Sequence, residues 1–198
     1  MLATICIAVA PTRAADQFRE DAIKAAFLYR FTGYVEWPGS ASPADKFTIA
    51  VIGGESVATE LGKILQGHDI GGRPARVQQI QSLKELGDAQ MLYIGPSFIG
   101  DVRAFIAHVP AHVLVVTDTG EGLEDGSAVN FMLVDRRVRF EISLNAAERA
   151  GLKVSSELLS VAARVLGVPQ RSETLCVPRS LDDAMSTRCV PRLADLDV

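Results

Sequence analysis

Between Phe47 and Thr117 the chain alternates short strand-like runs with segments of helical spacing. The runs are Phe47–Ile52 (FTIAVI), Ala75–Ile80, Met91–Ile94 (MLYI) and Val113–Thr117 (VLVVT). Phe47–Ile52, Met91–Ile94 and Val113–Thr117 are short and apolar enough to suit strands covered on both faces, while Ala75–Ile80 reads as a strand after the Gly71-Gly72-Arg73-Pro74 turn. The intervening segments read as a helix over 57–65, with Ser56 as N-cap and Gly67 near its end, a short helix over 82–86 and a helix over 97–108. Strands that alternate with helices predict βαβ units. The expected fold class is therefore α/β, with a mostly parallel sheet and helices on both faces.

The flanks follow other rules. From Asp21 to Trp37 the apolar residues Ile23, Phe27, Phe31 and Tyr34 recur at helical spacing. Asp16 or Asp21 suits the start of that helix, and Pro38 suits its end. Late in the chain, Ala128–Leu144 reads as an antiparallel hairpin turning near Asp135-Arg136. Its second arm alternates Val138, Phe140, Ile142 and Leu144 with Arg139, Glu141 and Ser143, the period-two signature of a half-exposed strand. A short helix over 145–150 ends at Gly151, and a last helix runs over 155–166 with Ser155 as its cap.

That last helix carries too much apolar surface. Leu158, Leu159, Val161, Ala162, Ala163, Val165 and Leu166 sweep an arc of about 200°, roughly twice what an ordinary surface helix buries. The surplus face needs a cover, which can be the C-terminal tail, a second subunit or another protein. Leu158, Leu159, Ala162 and Leu166 are the residues expected on such a dimer or partner surface.

The ends bear on localisation. Met1–Ala10 is apolar and is closed by Pro11-Thr12-Arg13-Ala14-Ala15, as in a secretory signal peptide cleaved after Ala14 or Ala15. The basic segment that normally precedes such a core is missing, which a start codon further upstream would supply. A buried first strand is the competing reading. The expected organisation is a signal peptide over 1–15, one α/β domain over 16–167 and a tail over 168–198. Cleavage removes Cys6 and leaves Cys176 and Cys189 in the tail. In an exported protein such a pair points to a disulfide, worth about 3 kcal/mol for a loop of about 14 residues. Two free thiols are the alternative.

Chemistry is sparse. Net charge is −4, which argues against a dedicated nucleic-acid binder. No apolar run reaches the roughly 20 residues that cross a bilayer. His68, His108 and His112 have no Cys, Asp or Glu at ligand spacing, and Pro110 breaks the helical face that His108 and His112 would share. Gly53-Gly54-Glu55-Ser56 sits where phosphate-binding loops occur, but it lacks their glycine spacing and a following Lys. No Gly-x-Ser-x-Gly elbow is present. No catalytic residue, cofactor or metal site is expected, and a binding protein outranks an enzyme.

Several stretches together resemble the YfiR family of periplasmic proteins. They are Lys24–Phe31 continuing through Tyr34-Val35-Glu36-Trp37-Pro38, then Phe47–Gly53, Gly72-Arg73-Pro74 and Met91–Ile94. The most specific run is Val113 through Asp118, Gly126, Asn130-Phe131, Phe140-Glu141-Ile142, Asn145, Gly151-Leu152 and Ser155–Leu159. The resemblance covers about residues 22–166. It implies a dimer-forming periplasmic regulator that binds and represses an inner-membrane, YfiN-like diguanylate cyclase through its periplasmic sensor domain, lowering cyclic di-GMP signalling and biofilm formation. Family members often carry a cysteine just before the strand matching Met91–Ile94; here Ala89-Gln90 stand there. Redox control through core cysteines is therefore not implied. Cys176 and Cys189 lie outside the matched region and inherit no family role. The other reading is a periplasmic small-ligand binder, with its pocket at the carboxyl ends of the strands near Gly53-Gly54, Gly95-Pro96 and Asp118.

Overall fold

The structure, a computed structural model, describes residues 12–38, 46–167, 174–178 and 187–191. The first unit of the chain ends at Gly167. Its elements are α1 (Thr12–Phe31), β1 (Val35–Glu36), β2 (Phe47–Ile52), α2 (Glu55–Leu65), β3 (Asp69–Ile70), β4 (Arg73–Gln79), β5 (Met91–Ile94) and α3 (Val102–Ile106). There follow β6 (Leu114–Thr117), β7 (Val129–Val134), β8 (Arg137–Ser143), α4 (Leu144–Arg149), β9 (Lys153–Val154), α5 (Ser156–Val161) and β10 (Arg164–Leu166).

The protein is a mixed α/β fold. Among the described residues, eight strands form one mostly parallel sheet in the order β10-β8-β7-β6-β5-β2-β4-β3. The antiparallel pairs in it are β7 with β8 and β3 with β4. The chain leaves β2 outward to β4 and then returns to β5 on the other side of β2. This reversal opens a crevice at the carboxyl ends of β2 and β5.

Side-chain alternation divides the strands between two cores. Ile49, Val51, Met91, Tyr93, Leu114 and Val116 pack with Leu28 and Phe31 of α1 and with Val57 and Leu61 of α2. Ala50, Ile52, Leu92, Ile94 and Val115 form the second cluster, against which Val102, Phe105 and Ile106 of α3 pack. Four aromatic rings join α1 to the hairpin. Phe31 lies 5.0 Å from Phe140 and 5.9 Å from Phe131, and Phe27 lies 5.4 Å from Phe140. The hairpin turns at Asp135 and Arg136, both at positive φ (50° and 58°), the backbone of the tight turn that matches strand twist.

Several expected boundaries move. α1 stops at Phe31 rather than Trp37. Gly33 and Tyr34 donate back to Arg30 O and Phe31 O, and Val35–Glu36 is drawn into antiparallel pairing with Val154 and Lys153. Tertiary pairing, not Pro38, ends the helix. It also begins at Thr12, earlier than Asp16 or Asp21 would place it. The expected leader falls on residues 1–11, outside the described residues, plus the first turn of α1. α2 begins at Glu55 with Gly54, not Ser56, in the capping position and no side-chain cap. A Cβ on Gly54 would lie 2.5 Å from the Tyr93 ring, so this corner is shaped by packing. The helix expected over 97–108 contracts to α3, started by Asp101, whose carboxylate accepts from Ala104 N at 2.9 Å.

The largest departure is at the expected last helix. Ser155 caps it as read, accepting from Leu158 N, but α5 ends at Val161. The chain then extends, Ala163 donates to Phe140 O at 2.8 Å, and Arg164–Leu166 adds to the sheet parallel to Glu141–Ser143. The continuous helical face of about 200° is therefore not formed.

The second unit covers residues 168–198. In it, β11 (Thr174–Pro178) and β12 (Thr187–Pro191) pair antiparallel, and Cys176 stands directly opposite Cys189. Directly opposed residues in such a pair have Cα atoms about 4.5–5.5 Å apart, within the span a disulfide bridges. In an oxidising compartment these two cysteines are expected to be joined. Mass measurement after alkylation without reductant should find neither thiol modified; two alkylated thiols would contradict the bridge.

Candidate functional site

The last residue of β6 and the one after it, Thr117 and Asp118, face opposite sides of the sheet, and each anchors a buried polar group. On the α1 side, Lys24 is almost wholly buried and places its ammonium 2.5 Å from Asp118 Oδ2. It also pairs with Glu20, one turn earlier on α1. Tyr93 Oη donates to the same Asp118 oxygen at 3.1 Å. Burial, then the adjoining Asp118 carboxylate, pushes the Tyr93 phenol far above its ordinary range, so it stays protonated and donating. Burial alone would lower the Lys24 pKa, but hydrogen bonds and charges from Asp118 and Glu20 outweigh it and hold it above the usual lysine value. Asp21 beside them is shifted upward, mainly by burial, with Glu20 and Asp118 adding repulsion against the lowering effects of Gln17 and Lys24.

On the other side a polar row crosses four adjacent strands in register: Thr117 opposite Asn130, Asn130 opposite Glu141, Glu141 opposite Arg164. Thr117 Oγ1 lies 2.8 Å from Asn130 Oδ1, and Asn130 Nδ2 donates to Glu141 Oε1 at 3.0 Å. Arg164 meets Glu141 Oε2 through Nη2 at 2.6 Å and Nε at 2.8 Å. Glu141 is 3% exposed, so its charge depends on these partners. Gly122 closes over the row, and a Cβ there would fall 2.0 Å from Thr117 Oγ1.

The crevice between the carboxyl ends of β2 and β5 holds about 320 Å³ and is lined by Gly53, Gly54, Pro96 and Ser97 with Gln17 and Asp21 of α1. A Cβ on Gly95 would lie 2.2 Å from Gly53 O, so the two loops touch. Asp118, expected in this pocket, does not line it, because its carboxylate is held by Lys24 and Tyr93.

The residues expected on a shared surface separate. Leu158 is 3% exposed and belongs to the chain's own core, while Leu159 and Ala162 pack partly buried against that core. Leu166 stands on the edge strand β10, 37% exposed, beside the equally exposed Val165. Cys176 and Cys189 lie in the second unit. Among the described residues, no three His, Cys, Asp or Glu side chains gather as a metal set would. The sequence reading missed the Lys24–Asp118 pair and the Asn130–Glu141–Arg164 row, although Lys24, Asn130 and Glu141 all fall in the segments that carry the family resemblance.

The fold and its polar clusters define a mixed α/β domain with a mostly parallel eight-stranded sheet, whose charged groups hold elements together. The chain belongs to the YfiR/HmsC-like family, whose model matches residues 21–163. No functionally curated protein matches it. Among solved structures it is similar to a conserved domain protein from Vibrio cholerae O1 biovar El Tor, at 12% identity and a TM-score of 0.46 over 73% of this chain and 60% of that one. It is also similar to an ABC domain in complex with L-Trp from Streptococcus pneumoniae, at 11% identity and a TM-score of 0.43 over 74% and 60%. The chain thus spans less than two thirds of either protein, and likenesses of this size assign it neither ligand nor activity.

Two results are expected. Arg164→Ala strands a buried carboxylate and should cost about 2–3 kcal/mol in urea unfolding. Adding Glu141→Gln should recover much of that loss; a cost below about 0.5 kcal/mol for Arg164→Ala would contradict the role given to the pair. Lys24, with its pKa raised on folding, contributes stability that is fully present below its unfolded value of 10.5 and is lost as pH rises through the higher folded value. Unfolding midpoints above pH 10.5 should therefore fall more steeply for the native chain than for Lys24→Met.

Proposed function

We propose that this chain is a regulatory protein of the periplasm that binds the periplasmic sensor domain of a membrane-bound, YfiN-like diguanylate cyclase and holds the enzyme inactive. Cyclic di-GMP signalling and biofilm formation are lowered while the two are joined. The observation that carries this reading is the family match, which spans nearly all of the first unit. The polar clusters fit it: Lys24 ties α1 to Asp118 just after β6, and Arg164 of β10 is tied to the buried Glu141 of β8. No helix among the described residues is long and apolar enough to cross a membrane.

The protein acts as a homodimer in this reading. Of the four residues first assigned to a shared surface, Leu166 on β10 remains accessible, next to the exposed Val165 and five residues after the exposed Val161. Edge strands with exposed apolar residues are natural sites for adding another chain.

A second reading, a small-ligand binder, draws on the crevice at the carboxyl ends of β2 and β5. There a periplasmic metabolite would raise the melting temperature of the isolated chain without any partner.

The deciding experiment is co-purification of the full chain with the periplasmic domain of the diguanylate cyclase encoded nearest to it. Stable association is expected, weakened by Leu166→Asp while circular dichroism stays unchanged. Absence of association with every membrane diguanylate cyclase of the same cell would overturn the proposal.

A further inference from the structure

A hollow of about 420 Å³ lies on the α3 side of the sheet, between the end of α3 and α4. It exists because the residues around it are small. Ala107 and Ala111 on one side, Ala146 and Ala150 on the other, and Gly126 and Ala128 between them leave a gap that larger side chains would fill. The hollow is open to solvent, with Ala107 and Ala111 exposed at its edge. Its floor is Val113 and Val115 of the sheet, which are 5% and 7% exposed.

One wall is fixed by backbone. His112 adopts φ 69° and donates its N–H to Ala150 O at 2.8 Å, tying the loop that follows α3 to the end of α4. The rim is charged. Arg103 is committed to Asp125 Oδ1 at 3.3 Å and to Glu124 O at 3.2 Å. Arg149, at the end of α4, lines the same hollow and makes no ion pair among the described residues. Two guanidiniums against one carboxylate leave a net positive rim above an apolar floor. A volume in this range is that of ordinary small-molecule sites, which combine apolar lining with a few placed polar groups.

We propose that this hollow binds a small monocarboxylate with an apolar tail, its carboxylate on Arg149 and its tail on Val113, Val115 and Ala128. The guanidinium offers the planar pair of donors that a carboxylate accepts. The Arg103–Asp125 pair borders the site and disfavours a cationic headgroup less than Arg149 does, so Arg149 sets the selectivity. The site lies apart from the crevice at the carboxyl ends of the strands and does not depend on the cyclase reading, since binding is measured on the chain alone.

The test titrates the full chain with octanoate by calorimetry, with octylamine and 1-octanol as matched probes. Octanoate should bind saturably with a dissociation constant on the order of 0.1–1 mM. Octylamine should bind at least about tenfold more weakly. Arg149→Gln should weaken octanoate about tenfold or more, and Ala107→Trp, an exposed position whose new ring would occupy the hollow, should remove binding while circular dichroism stays unchanged. Absence of saturable binding, equal affinity for octylamine, or octanoate binding unchanged in both variants would each overturn the proposal.

Discussion

The fold hangs on the end of β6. Thr117 and Asp118 are consecutive, so strand geometry sends them to opposite faces, and each begins a buried polar assembly. Asp118 holds Lys24 and through it α1; Thr117 begins the row that ends at Arg164 and fixes β10. Apolar contacts supply most of the driving force for collapse but little direction. Charges taken out of water tolerate few arrangements, because an unpaired buried ion costs several kcal/mol. The two assemblies thus specify where the first helix and the edge strand must lie.

This explains which parts were legible in the sequence. The central strands announce themselves because both their faces are buried, leaving runs such as FTIAVI and VLVVT with little room for another reading. The hairpin was legible through the alternation Val138, Phe140, Ile142 and the turn at Asp135-Arg136. The segment after Ser155 was not. Its apolar residues fit a helix locally, yet Arg164 finds a buried carboxylate 23 residues earlier and the chain extends to reach it. Local periodicity has no knowledge of such a partner. The same reasoning covers α1, which gives way to β1 because Val35 pairs with Val154.

The polar clusters were illegible for a related reason. Lys24 and Asp118 are 94 positions apart, and neither residue alone departs from what a solvated surface would show. Asp118 was expected in an open pocket and is instead held beneath α1. Cys176 and Cys189 are register partners across β11 and β12.

Membership of the YfiR/HmsC-like family and the structural employment of the buried charges fit a protein that works through what it contacts. In that account the domain's stability serves to present a fixed surface, and its output is a change in another protein's activity. The most direct measurement is the cyclic di-GMP content of cells with the gene deleted and then restored. The account predicts a several-fold rise on deletion that is abolished when the partner cyclase is also deleted. An unchanged cyclic di-GMP level in the deletion strain, with the cyclase present and folded, would contradict it.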